Sequence, residues 1–69
     1  MVEYLIVIEK ANGNFSAYSP DLPGCIAAGA TREETEAIMR EAVRLHIEGL
    51  RAEGLPIPEP SASATRITL

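Results

Sequence analysis

The beginning of the chain alternates between two sets of side chains. Its even positions are all apolar: Val2, Tyr4, Ile6 and Ile8. Its odd positions mix acidic and apolar residues: Glu3, Leu5, Val7 and Glu9. Because successive side chains of a strand point to opposite faces of a sheet, this pattern predicts a first strand with apolar groups on both faces.

The dipeptide Asn12-Gly13 follows that strand and predicts a tight hairpin, since both central residues of a type I′ turn need positive φ. We predict a second strand over Asn14 to Tyr18. The two-residue loop fixes three facing pairs: Ile8 with Ala17, Val7 with Tyr18, and Lys10 with Phe15.

This register leaves apolar residues on the second face of the sheet. Leu5, Val7 and Tyr18 share that face, whereas the even residues of the first strand share the other. A single helix covers only one face, so these three residues stay exposed unless another chain covers them. The ordinary alternative is a scatter of unrelated exposed apolar residues. We interpret the three residues as a protein interface.

The middle of the chain predicts a turn, a short strand and a helix. The turn-rich segment over residues 20–24 leads to a third strand, Cys25 to Ala28. Thr31 and Glu34 fit a capping box, with the Thr31 hydroxyl and the Glu34 carboxylate each accepting a backbone N–H. The helix is predicted from Arg32 to about Glu53.

The end of the chain predicts a helix stop, a linker and a last strand. Gly54 occupies the position after the helix, and residues 55–60 contain three prolines that favour an extended linker. Thr65, Ile67 and Leu69 then alternate with polar or small residues. The expected order is β-β-β-α-β in one domain over residues 1–69, an α/β (α+β) fold. A right-handed crossover places the fourth strand parallel to the first, beside its free edge.

Composition narrows the classes of function. The chain has 69 residues and a net charge of −4, so it lacks the basic surface that nucleic-acid binding requires. A chain of this size buries only about 60% of its surface, and we expect self-association or a partner to add stability. The lone Cys25 favours a reducing, cytoplasmic setting. No apolar run reaches membrane length.

The residues that carry chemistry are few. Cys25 with His46 as its base suggests a nucleophile, but a small buried cysteine is the more common structure. One Cys and one His fall short of a zinc site. Glu3 and Glu9 are roughly 20 Å apart on an extended strand, too far to share an ion. We therefore predict no catalytic residue, no metal site and no cofactor.

One set of residues resembles a known family. It consists of Pro20, Asp21, Leu22, Pro23, Gly24, Cys25, Gly29, Thr31 and Glu34. We call these positions the signature residues. Their pattern resembles that of the HicB-like antitoxins. The resemblance implies a partial RNase H-like fold. It also implies that the chain binds and neutralises a HicA-like toxin, a small basic mRNA-cleaving RNase, by occluding the toxin's active site. We interpret the signature residues as fold-forming turns, bends and caps.

The resemblance also bears on partners. An acidic antitoxin suits a basic toxin, and we expect a homodimer or higher oligomer as well. HicB-like antitoxins often continue into a DNA-binding domain, whereas this sequence ends after the predicted last strand, so we expect no direct nucleic-acid binding. Two alternatives remain open: an orphan homo-oligomeric scaffold or small-ligand-binding domain without a toxin, and a minimal cysteine-dependent or nuclease-like enzyme.

Overall fold

A computed structural model describes residues 2–69 and shows an α+β arrangement. The elements are β1 (Val7–Ala11), β2 (Asn14–Tyr18), β3 (Ile26–Gly29) and α1 (Arg32–Ala52). The three strands form an antiparallel sheet in the order β1-β2-β3, and α1 packs across one face of it. Among these residues, no helix is both long enough and apolar enough to cross a bilayer.

The first hairpin has the predicted register. Gly13 takes a positive φ of 76°, and the three predicted pairs lie opposite each other. The third strand begins one residue later than predicted, at Ile26 instead of Cys25. The reason is local, because the Cys25 N–H donates to the Leu22 carbonyl oxygen at 3.1 Å and closes a turn.

The core lies between α1 and the inner face of the sheet. Its buried apolar residues are Ala17, Leu22, Cys25 and Met39. Partly buried residues pack around them: Tyr4, Ile6, Ile8, Ala27, Ala42, Val43 and Ile47. In the first segment and the start of β1, the even positions Tyr4, Ile6 and Ile8 therefore face α1, and the odd positions between them face away from it. We call that second face the outer face.

Both ends of α1 are capped by residues that the sequence pointed to. The Thr31 Oγ1 accepts the Glu34 N–H at 3.0 Å, which forms half of the predicted capping box. The other half, from the Glu34 carboxylate, is not formed within the described residues. At the other end Gly54 has a φ of 69°, and its N–H and that of Leu55 donate to the Arg51 and Leu50 carbonyls. This Schellman arrangement satisfies the last carbonyl groups of the helix.

Two predicted strand segments are wrong. The first strand begins at Val7 and not at Val2, because β2 ends at Tyr18, opposite Val7, and leaves residues 2–6 without a facing strand. The predicted fourth strand is also absent, since residues 55–69 contain no strand. Hydrogen bonds hold residues 61–62 at Asp21, in the β2–β3 connection, and so lead this segment away from the free edge of β1. The RNase H-like relation stays a prediction.

A pair of glycine substitutions tests the packing of α1 against the sheet. A Cβ on Gly29 would lie 2.8 Å from the buried Thr35 Oγ1 and 3.1 Å from the Thr35 N, so Gly29→Ala should destabilise the fold by about 1–3 kcal/mol. Gly49→Ala is the control, because nothing lies within 4 Å of its Cβ position and alanine favours a helix by about 1 kcal/mol. Urea unfolding of both variants measures the difference. Equal effects of the two substitutions would contradict this packing.

Candidate protein interface

The outer face carries a row of three apolar side chains across the sheet. Val7 lies opposite Tyr18, and Tyr18 lies opposite Ile26. Residues that face each other directly across strands share a face, so the three side chains are adjacent. Tyr18 is 42% exposed and Ile26 is 71% exposed. Within residues 2–69 this row has no covering element.

Leu5 extends the row along the first segment. Leu5 is half-buried just before β1. Alternation with Tyr4 and Ile6, which pack on the core, puts it next to Val7 at the border of the outer face. There it also lines the groove between the first segment and α1. We call Leu5, Val7, Tyr18 and Ile26 the outer patch. Large exposed apolar patches are typical of surfaces that bind another protein.

Acidic residues flank the outer patch. The alternation that puts Leu5 and Val7 outward also puts Glu3 and Glu9 there, one beyond each end of the pair. Both glutamates are exposed. An apolar centre with an acidic rim is complementary to a partner whose apolar surface is surrounded by basic residues.

The structure brings together all three predicted interface residues and adds Ile26. Sequence reasoning missed Ile26 because the connection between β2 and β3 is long, and only a short hairpin loop fixes the register of the following strand. The signal that could have identified Ile26 was the predicted third strand, Cys25 to Ala28. A strand close to residues 25–28 implies that its alternate residues face outward.

Six of the signature residues, positions 20–25, form the connection between β2 and β3, whereas Gly29 ends β3, Thr31 caps α1 and Glu34 lies in its first turn. The Leu22 N–H donates to the Ser19 carbonyl at 3.2 Å, and a second turn over residues 22–25 follows at once, with Gly24 at a φ of 84°. A positive φ after a proline is what a type II turn requires. Leu22 is fully buried between the two turns, so it fixes the loop to the core.

Asp21 has a further contact that sequence reasoning did not find. Its carboxylate accepts three hydrogen bonds: from the Ser61 N–H at 3.2 Å, the Ser61 hydroxyl at 3.0 Å and the Ala62 N–H at 3.1 Å. The Tyr4 hydroxyl donates to the Pro58 carbonyl at 2.6 Å. Together these bonds hold residues 58–62 across the end of the sheet.

The groups considered for catalysis lie apart from the outer patch. Cys25 is 4% exposed in the core, and burial raises the pKa of its thiol, which disfavours the reactive thiolate. His46 is half-buried on α1. No group of three or more His, Cys, Asp or Glu side chains suited to a metal ion occurs between Val2 and Leu69.

Comparison with known proteins adds three kinds of match. A family model described as the HicB-like antitoxin of bacterial toxin-antitoxin systems matches residues 4–68. A UPF0150 protein of Synechocystis is 40% identical over 57 residues, which cover 81% of this chain and 72% of that protein. A UPF0150 protein of Thermoplasma acidophilum is 34% identical and covers 88% of this chain and 90% of its own length.

A longer relative and a solved structure complete the comparison. A 14.9 kDa protein from the rep-hol intergenic region of Haemophilus phage HP1 is 39% identical over 81% of this chain, and this chain spans only 42% of its length. A chain of a solved HicA3 and HicB3 toxin-antitoxin complex superimposes with a TM-score of 0.74 at 40% identity. That match covers 87% of this chain and 70% of the solved chain.

The contacts of Asp21 predict a specific pH dependence. The hydrogen bond from the Ala62 N–H, with those from Ser61, holds the Asp21 pKa below its ordinary value of 3.8. A depressed folded-state pKa means that the carboxylate stabilises this contact above the unfolded pKa and loses it as the pH falls through the folded pKa. The Ala62 amide proton shift should therefore titrate at a pH below about 3.8 in an NMR titration.

Two variants control that titration. Asp21→Asn should abolish the Ala62 transition and shift the Ser61 and Ala62 amide signals at neutral pH. The reason is that the asparagine side chain has one acceptor oxygen fewer than aspartate and no charge. Glu59→Gln makes the same charge change at an exposed neighbouring position and should leave the transition in place. If the pH transition of the Ala62 amide shift persists in Asp21→Asn, the Asp21 carboxylate does not hold this segment.

Proposed function

We propose a function for this chain on the basis of its family. The chain belongs to the HicB-like antitoxins of bacterial toxin-antitoxin systems. It binds a HicA-like toxin and neutralises that RNase by covering its active site. It acts by binding and not by catalysis. The outer patch is the observation that carries this proposal, since it is an apolar surface on a sheet with one uncovered face.

Tyr18 is the centre of the proposed contact. It lies in the middle strand between Val7 and Ile26, where a partner would cover it from all sides. Interface energy concentrates in a few central residues, and tyrosine is among the most frequent of them. The surrounding apolar side chains exclude water from that centre. We therefore assign the largest share of the binding energy to Tyr18 and Ile26.

Opposite charges on the two proteins increase the association rate and contribute to partner selectivity. The chain carries a net charge of −4, and Glu3 and Glu9 border the outer patch. A basic toxin that binds RNA presents the opposite potential, which accelerates encounter and disfavours acidic competitors. The association rate should accordingly fall as the salt concentration rises.

The solved HicA3 and HicB3 complex supports this choice of partner, because one of its chains shares the fold of this chain at 40% identity. Self-association is the second proposed interaction. The core between Val2 and Leu69 has only four buried apolar residues, and a small core gains stability when copies associate.

Substitutions in the outer patch test the proposal directly. Tyr18→Glu and Ile26→Glu should each weaken binding of a HicA-like toxin by about thirtyfold or more, since each places a charge in a desolvated contact. The matched control is Leu45→Glu on α1, which is 54% exposed and lies on the opposite side of the sheet. Affinity is measured by calorimetry with a catalytically inactive toxin, and inhibition by RNA cleavage with the active one.

Three outcomes separate the alternatives. Inhibition by the unchanged chain that is lost in the two outer-patch variants and kept in Leu45→Glu supports the proposal. Binding that is lost only in Leu45→Glu would place the toxin on α1 and contradict the assigned surface. A chain that neither binds nor inhibits any small basic protein encoded beside its gene would favour an orphan scaffold or ligand-binding domain.

A further inference from the structure

Residues 2–6 form an unpaired strand edge. Tyr4 and Ile6 pack on the core and Leu5 is half-buried, so this segment alternates as β1 does. Within the described residues, however, its backbone makes no hydrogen bond to another segment. A row of backbone N–H and C=O groups without strand partners is an edge that readily accepts another strand.

A groove runs beside this edge, between the first segment and α1. Its volume is about 740 Å³, and its apolar wall includes Tyr4, Ile6 and Val43. Arg32 and Arg40 border it on the α1 side, each paired with Glu36, at 3.2 and 3.4 Å. The groove thus has room for the side chains of one added strand and an apolar wall to receive them.

Residues 63–69 have the residue pattern of a strand but pair with no strand among the described residues. Every residue of this segment is exposed, with Ile67 at 75% and Leu69 fully accessible. Thr65, Ile67 and Leu69 alternate with Ala64, Arg66 and Thr68, so one face of the segment is apolar when it is extended. Exposed β-branched residues in alternation favour pairing with a sheet edge.

The segment is directed away from the edge of its own chain. The Tyr4 hydroxyl donates to the Pro58 carbonyl, and Asp21 then holds Ser61 and Ala62 at the β2–β3 connection, so the chain passes residues 2–6 before residue 63 and moves from there toward β2 and β3. An added strand of this composition is therefore available from a neighbouring copy. Seven extended residues reach roughly 23 Å, which is more than the length of the five-residue edge.

We propose that two copies of this chain exchange residues 63–69, each segment adding as a strand to residues 2–6 of the other copy. Facing residues of paired strands share a face. Ile67 and its alternate neighbours then enter the groove beside Tyr4 and Ile6, and Arg66 stands on the outer face near Glu3. Glu3 is the single acid among residues 2–8, and Arg66 is the single cation after Arg51.

This charge complementarity selects a second copy over an unrelated peptide, since the donor segment and the acceptor edge carry matching charges. The exchange leaves Tyr18 and Ile26 uncovered, so it is compatible with toxin binding. It does not rest on the toxin role, because the unpaired edge and the exposed segment both belong to this chain alone.

Charge reversal tests the exchange in solution. The full chain should sediment as a dimer or larger oligomer. Glu3→Arg and Arg66→Glu should each raise the dissociation constant on the order of tenfold, and the double variant should restore it. Glu59→Arg and Arg51→Glu make the same changes in net charge elsewhere and should leave association unchanged. Circular dichroism confirms that every variant is folded.

A second measurement identifies which copy donates the segment. In a mixture of ¹³C-labelled and unlabelled chains, isotope-filtered NOEs should connect residues 65–69 of one chain to residues 2–6 of another. A chain that stays monomeric in the sedimentation experiment overturns the proposal. The proposal is also overturned if neither single charge reversal changes the dissociation constant, or if NOEs between these segments occur only within one chain.

Discussion

The single helix α1 can cover only one face of the three-stranded sheet, and the rest of the surface chemistry follows from that constraint. Tyr4, Ile6 and Ile8 go to the covered face and build the core with Met39. Leu5, Val7, Tyr18 and Ile26 go to the other face because strand residues alternate. The same alternation that makes the core possible therefore leaves an apolar patch on the outer face.

The connection between β2 and β3 organises the remaining chain. Leu22 is buried between two successive turns, Cys25 closes the second turn, and Asp21 reaches residues 40 and 41 positions later to hold Ser61 and Ala62. These contacts support a fold-forming interpretation of the signature residues in this loop. They also tie the path of the last segment to the loop, which keeps it away from the edge of its own sheet.

Local rules were enough to predict the elements that depend on near neighbours. The Asn12-Gly13 turn determines the hairpin register, Thr31 determines where α1 begins, and Gly54 determines where it ends. The predictions that were wrong concern distant partners. Alternation predicted that residues 2–6 and 64–69 suit strands, but alternation does not say which segment pairs with which. Ile26 and the Asp21 contacts likewise depend on chain segments that local patterns do not connect.

We propose that the outer face, and not the helix, receives the toxin. The most direct measurement is an NMR chemical-shift map of the labelled chain during titration with a catalytically inactive HicA-like toxin. The largest changes should occur at Leu5, Val7, Tyr18 and Ile26, with small changes at Ile38 and Leu45 on α1. The largest changes on α1, with the outer patch unaffected, would contradict it.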